Sequence, residues 1–150
     1  MADVHDSETR SRNMAAIRGG NTKPEMQIRR GLHAAGLRFR LHAKDLPGKP
    51  DLVFPRWRAV VFVNGCFWHQ HDCHLFKWPG TRQAFWRDKI GRNAANDAKA
   101  VAALRAAGWR VGSVWECALK GRTKLDSSET MRCLADWIRS DLETITIQGG

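Results

Sequence analysis

Ala59-Val-Val-Phe-Val-Asn-Gly-Cys-Phe-Trp-His-Gln-His-Asp-Cys-His74 decides the reading of this chain. Its first five residues form a continuous apolar run, the pattern of a strand buried on both faces. The strand delivers the chain into a segment crowded with thiols and imidazoles. Cys66, His71 and Cys73 fall within eight residues, and Cys117, in Trp115-Glu-Cys117, follows after 43 intervening residues. Three thiolates and one imidazole form a tetrahedral Cys₃His set, a common closed structural zinc site. His69 competes with His71 for the imidazole position, and His74 is a third contender. Between the first two donors stand Phe67 and Trp68, and a metal-held loop is too short to turn both rings inward.

Upstream, Thr22-Lys-Pro-Glu25 starts a helix, with a threonine N-cap, a first-turn proline and a capping-box glutamate. Met26, Ile28, Leu32 and Ala35 carry it to a stop at Gly36. Leu37–His42 alternates apolar with polar residues, as a half-buried strand does. A turn-rich loop, Asp45-Leu-Pro-Gly-Lys-Pro50, leads to a strand over 51–54. Downstream, a helical pattern runs from an N-cap at Thr81 to Ala107, loosened at Gly91 and stopped at Gly108. A strand over 109–115 brings Cys117 to its end, and Asp126-Ser-Ser-Glu129 caps a helix to about Ser140. The order α-β-β-β-α-β-α predicts an α/β domain, a mixed sheet flanked by helices, over residues 22–140. Residues 1–21 read as a basic arm, with Met14 and Ile17 on one helical face, and 141–150 as an unpatterned tail. Cys133, in the last helix, reads as a core or boundary thiol, and Trp57, Trp109, Trp115 and Trp137 as core rings.

The chain has 150 residues, 25 Lys+Arg against 15 Asp+Glu, a net charge of +10 and a pI ≈ 10.2. Charge of that sign gathers polyphosphate and makes its binding salt-dependent. No apolar run approaches the ~20 residues of a membrane span, and the N-terminus lacks a signal-peptide pattern. A cytoplasmic protein is expected, and in a reducing compartment four cysteines suggest metal ligands rather than disulfides.

Pro50-Asp51 in front of a strand, with Glu25 on the preceding helix, is the layout of restriction-endonuclease-like (PD-(D/E)xK) nucleases. Such chemistry needs carboxylates to hold Mg²⁺ beside a phosphodiester. The second strand, Val61-Phe-Val-Asn64, lacks the expected acid and lysine, so a backbone carbonyl would have to replace the missing carboxylate. His69, if it is not a zinc ligand, is placed to act as a general base.

Taken together, Asn13-Met14, Leu46-Pro-Gly-Lys-Pro-Asp51, Val61-Phe-Val-Asn-Gly-Cys-Phe-Trp-His69, His71-x-Cys73, Phe85-Trp86, Lys89-Ile-Gly-x-Asn93, Gly108-Trp-Arg-Val111 and Val114-Trp-Glu-Cys117 resemble the very-short-patch-repair (Vsr) mismatch endonucleases. The resemblance extends from about residue 8 to residue 140. It implies an enzyme that nicks one strand of duplex DNA 5′ of the thymine in a T·G mismatch, the lesion left by deaminated 5-methylcytosine. It further implies that Asp51 and the Val63 carbonyl hold catalytic Mg²⁺, as two ions, while His69 handles the attacking water and Glu25 supports the site. Cys66, His71, Cys73 and Cys117 would hold one structural Zn²⁺. Phe67, Trp68 and Trp86 would wedge into the base stack, Met14 would approach from the other groove, and Lys89 and Asn93 would contact the mismatch. Many relatives carry a histidine where this chain has Asn64, hydrogen-bonded to an aspartate matching Asp97. The alternative is a catalytically weakened mismatch-binding protein. The expected state is a bacterial monomer, with mismatch-repair proteins and a DNA polymerase as further partners.

Overall fold

A computed structural model describes residues 22–150. The basic arm and Met14 lie outside the described residues. Helix α1 spans Lys23–Ala34, α2 Gln83–Ala106 and α3 Ser127–Arg139. Five strands, β1 (Arg40–Leu41), β2 (Leu52–Phe54), β3 (Ala59–Asn64), β4 (Arg110–Trp115) and β5 (Thr144–Ile147), form one sheet in that spatial order. β1, β2 and β3 pair antiparallel, whereas β3, β4 and β5 pair parallel. The small α/β domain with a mixed sheet is therefore as expected. Both parallel crossovers run through a helix, as such connections require.

Side-chain alternation along the strands divides the core in two. Leu52, Phe54 and Val61 face α1 and α3, where they pack with Ile28, Leu32, Leu134 and Ile138, all fully buried. Val53 and Val60 face the other way, against Leu104 of α2 and Val111. Burying each such side chain contributes roughly 1.5–3 kcal/mol. Gly48, with φ +73, brings the loop before Asp51 so close to α2 that an added Cβ would stand 2.6 Å from the Ala100 Cβ.

Several elements depart from the sequence reading. The strand expected over 37–42 pairs only at Arg40–Leu41, because the alternation there reports burial of Leu37 and Phe39 rather than ladder hydrogen bonds. Arg82, in a left-handed conformation and without a side-chain cap, precedes α2, so Thr81 is not its N-cap, and Gly91 lies inside an unbroken helix. The tail read as unpatterned supplies β5, built on Thr144-Ile-Thr-Ile147, four β-branched residues in a row. Cys133 is exposed, since the buried stripe of α3 runs through Leu134, Ala135, Trp137 and Ile138. Of the four tryptophans expected in the core, Trp137 is buried, while Trp57, Trp109 and Trp115 are half-buried.

Candidate active site and metal centre

Everything chemically notable gathers where β3 and β4 end. Register sets the first group: Leu52 of β2 lies opposite Val61, which puts Asp51 beside the last residues of β3. There the Val63 N–H donates to Asp51 Oδ2 at 2.7 Å. Glu25 arrives from the first turn of α1, with only 1% of its surface exposed. Thr22 caps the helix by accepting from the Glu25 N–H at 3.4 Å. The Glu25 carboxylate, however, points into the domain instead of closing a capping box. Its Oε2 accepts from Arg29, one helical turn on, and from His42 Nε2 at 2.8 Å. Ligand atoms of Glu25, His42 and Asp51 all lie within 4.8 Å of one another.

Two carboxyl groups this close cannot both ionise at low cost. Burial, and then the neighbouring Glu25 charge and hydrogen bond, push the Asp51 pKa up to about 7, against the opposing pull of the Val63 N–H and of His69. A site that presses two acids together and resists their joint ionisation suits a hard divalent cation. The sequence reading missed His42 and Arg29. Arg29 was legible, since Glu25 and Arg29 stand i,i+4 on a helix. His42 was not, because a histidine ending a short strand carries no spacing signal.

His69 does not join the cysteines. Its Nδ1 meets Asp97 of α2. Since a carboxylate only accepts, the ring proton sits on Nδ1 and Nε2 is left as a base. Asp97 therefore engages His69 here, rather than residue 64. Asn64 pairs with Trp115 across the β3/β4 ladder, and Asn64 and Asp97 line one cavity of about 440 Å³ with Phe62, Ser113 and Trp115.

Cys66, His71, Cys73 and Cys117 each offer one donor atom, all within 4.8 Å of one another. Of the three histidines that competed for this set, His71 is the one that joins it, and His74 lies 3.4 Å from the Thr123 hydroxyl. Supporting contacts come from both sides. Glu116 Oε1 accepts from the Cys66 N–H at 3.2 Å, and the Gly149 N–H donates to Cys117 Sγ at 3.2 Å. His71 Nε2 meets Gln148 Oε1 at 2.9 Å, which leaves Nδ1, 3.6 Å from Cys117 Sγ, unprotonated and free to ligate. The His71 ring stacks on Trp115, with centroids 4.2 Å apart. Gln148 and Gly149 belong to the tail read as unpatterned and were missed. Burial pushes the Cys66 thiol pKa up.

Phe67, Trp68 and Trp86 touch one another in edge or tilted contacts, with centroids 5.3–6.0 Å apart. Phe76 stacks on Phe67 at 6.0 Å, Trp78 braces Phe76 edge-on at 4.9 Å, and Arg87 lies over Trp78 at 4.5 Å. Phe85, 43% exposed and edge-on to Trp86, ends the cluster under Arg82. Asn93 is committed: its amide donates to the Trp68 carbonyl at 3.1 Å, holding the ring-bearing loop. Lys89 sits half-buried on the same helix.

The sequence profile of the family described as DNA mismatch endonuclease Vsr matches residues 2–75. The chain is 49% identical, over 138 residues, to the DNA mismatch endonuclease Vsr of Escherichia coli K12, covering 92% of this chain and 88% of that protein. It is 48% identical to the type II nicking enzyme V.XorIIP of Xanthomonas oryzae pv. oryzae, covering 85% and 93% of the two chains. With the type II nicking enzyme V.NmeAIP of Neisseria meningitidis the identity is 38%, over 81% of this chain and 87% of that one.

Proposed function

The chain belongs to the Vsr family of DNA mismatch endonucleases, and on that footing we propose that it nicks duplex DNA on the 5′ side of the thymine in a T·G mismatch. The carrying observation is the meeting, at one end of β3, of half-buried Asp51 and buried Glu25 with a histidine whose Nδ1 is fixed by an aspartate. The core is read as restriction-endonuclease-like, its acid carried at the start of the β2/β3 hairpin.

Asp51, the Val63 carbonyl and Glu25 would hold Mg²⁺, which supplies charge to an attacking water and to the phosphorane. The protein's own share is positional. Glu25 is buried and Asp51 half-buried, which limits bulk water at the pair, and the Val63 N–H fixes one Asp51 oxygen so that the other can face a cation. His69 Nε2 takes the proton of the attacking water. Asp97 holds the ring in the required tautomer and stabilises the imidazolium that results. Asn64 donates and accepts hydrogen bonds but shuttles no proton near neutral pH. One Zn²⁺ on Cys66, His71, Cys73 and Cys117 would fix the loop that carries Phe67 and Trp68.

Those rings, with Trp86, would insert beside the mismatch, where the poor stacking of a T·G wobble lowers the cost of opening the step. Lys89 would reach the mismatch, and Asn93, by gripping Trp68, sets the angle of the wedge. Residues 1–21, with Met14, would close on the DNA from the opposite groove. Repair proteins and a polymerase would take over the nicked product. Among the described residues no helix is long and apolar enough to cross a membrane.

End-labelled T·G and T·A duplexes, incubated with Mg²⁺ or EDTA and run on a denaturing gel, test this reading. One nick, 5′ of the mismatched thymine and only with Mg²⁺, is expected. Retarded T·G duplex without any nick would establish the binding-protein alternative instead.

A further inference from the structure

His42 is the residue that ties the two acids together, and its backbone is unusual. It adopts φ +47, a left-handed conformation that is unfavourable for a non-glycine residue. Strain of this kind persists only where the surroundings over-determine it, and here both ends of the residue are committed. The His42 N–H donates to the Asp51 carbonyl at 3.0 Å. Its side chain reaches the other acid, with Nε2 2.8 Å from Glu25 Oε2. A carboxylate only accepts, so Nε2 carries the proton and donates. Arg29 donates to that same oxygen, and its guanidinium lies 3.3 Å from His42 Nε2, two donors side by side on one acceptor. Both grips therefore fall on Oε2 and neither uses Oε1.

We propose that His42 is a positioning residue which, together with Arg29, clamps one oxygen of Glu25 and so fixes the separation between the Glu25 and Asp51 carboxylates that hold the catalytic cation. The proposal rests on the reading of Asp51 and Glu25 as cation ligands and adds residues to which no role has been given. Hydrogen bonds of this kind orient ligating carboxylates, and losing one typically costs 10–100-fold in metal affinity. His42 suits the task because its backbone immediately precedes the loop that Gly48 presses against α2, while its ring spans to α1. One side chain thus couples the two elements that carry the acids. Arg29 places a second donor and a positive charge against the same Oε2.

The test uses His42→Gly and His42→Gln in the full-length, zinc-loaded protein. Glycine adopts φ +47 without penalty, so His42→Gly removes the ring while keeping the backbone turn and its bond to Asp51. Glutamine retains an N–H donor on a comparable reach. Mn²⁺ is titrated into each protein without DNA and followed by the EPR signal of the free ion, counting only the binding that Asp51→Asn abolishes. Thermal melting and Mg²⁺-dependent nicking are measured alongside. His42→Gly should melt at or above the wild-type temperature, yet bind Mn²⁺ about 10–100-fold more weakly and need correspondingly more Mg²⁺ for half-maximal nicking. His42→Gln should recover most of both losses. Unchanged Mn²⁺ affinity in His42→Gly would overturn the clamp. So would equal loss in both variants, which would mark the imidazole as a direct ligand or a mere packing group. Should the wild type bind Mn²⁺ through Asp51 without nicking any duplex, the proposed function fails and the clamp is still judged by the titration.

Discussion

The molecule contains two places where ligand atoms converge, and they are built in opposite ways. The Cys66–His71–Cys73–Cys117 cluster takes three of its four donors from one eight-residue loop and receives the fourth from the end of β4. The Glu25–His42–Asp51 cluster draws one residue each from a helix, a strained loop position and the start of a strand. The first uses thiols, which are soft, deprotonated by the metal and arranged as a closed shell. The second uses carboxylates, which are hard, repel one another and leave room for a substrate oxygen. A closed soft set suits a fixed support and an open hard set suits chemistry. On the proposed reading, a stabilising ion and a reacting ion would share one small domain without exchanging sites.

The largest effect separating the two should come from Cys117→Ala. Loss of the one donor that arrives from β4 opens a long loop and leaves three ligands, so the protein should purify without stoichiometric zinc and melt cooperatively only at much lower temperature, if at all. Elemental analysis and circular dichroism decide it. Full zinc occupancy with unchanged melting would mean that the four donors do not form a structural site.

On the other cluster, Asp51→Asn should abolish nicking while the fold and the zinc survive. T·G duplex binding should be unchanged or tighter, because a charge facing phosphate is gone. Nicking above about a tenth of wild type would show that Asp51 is not the principal ligand.

A smaller loss follows from the base. His69→Ala should slow single-turnover nicking by about 10²–10⁴-fold, the usual cost of removing a general base. Asn64→Ala, which leaves the His69–Asp97 pair intact, should cost only about 10–100-fold, in line with the loss of one oriented hydrogen-bonding group. Rates measured over pH 6–9 would separate them, and equal losses would give Asn64 a direct role.

The smallest effect concerns stability. Asp51 has a carboxyl pKa raised to about 7 in the folded protein against 3.8 for the ordinary group. Between those values the native state keeps a proton that the unfolded state releases, so the metal-free fold loses stability as pH climbs through that window. Asp51→Asn should therefore melt a few degrees higher than wild type at pH 8 in EDTA-free, Mg²⁺-free buffer, with the gap closing by pH 4. Added Mg²⁺ should narrow the gap at pH 8 by stabilising only the wild type. An equal gap at both pH values would mean that the acid is not strained by its surroundings.

The contrast between the clusters also explains what could be read in advance. Cysteine is rare and its spacing is specific, so the ligand loop stood out, and with it the apolar strand that feeds it. Asp51 and Glu25 were found through a motif, but the connection between them ran through His42, a common residue type in an irregular segment. Its contribution depends on a φ angle and a packing distance that no residue pattern encodes. The same holds for Gln148, which touches His71 only because β5 adds to the sheet beside β4. That strand was overlooked because, unlike the strand over 51–54, it has no turn-rich loop or motif in front of it to mark its start. The helix-to-sheet arrangement was legible because it follows from apolar spacing, whereas the pairing of His69 with Asp97 depends on how α2 lies across the sheet.

The contact between His71 and Gln148 also orders events in time. A ribosome makes residues 25, 51 and 69 well before residues 117 and 148, so the acids and the base exist while the loop beside them lacks its fourth thiol and its outer hydrogen bond. Sheet strands β4 and β5 must then dock before the ring-bearing loop is fixed. A chain cut short before residue 117 would carry the proposed catalytic residues before the proposed wedge loop has its fourth thiol. On the proposed roles, target selection waits until residues 117 and 148 are made, and stalled chains ending before residue 117 should release zinc readily to a weak chelator where chains extending through residue 148 do not.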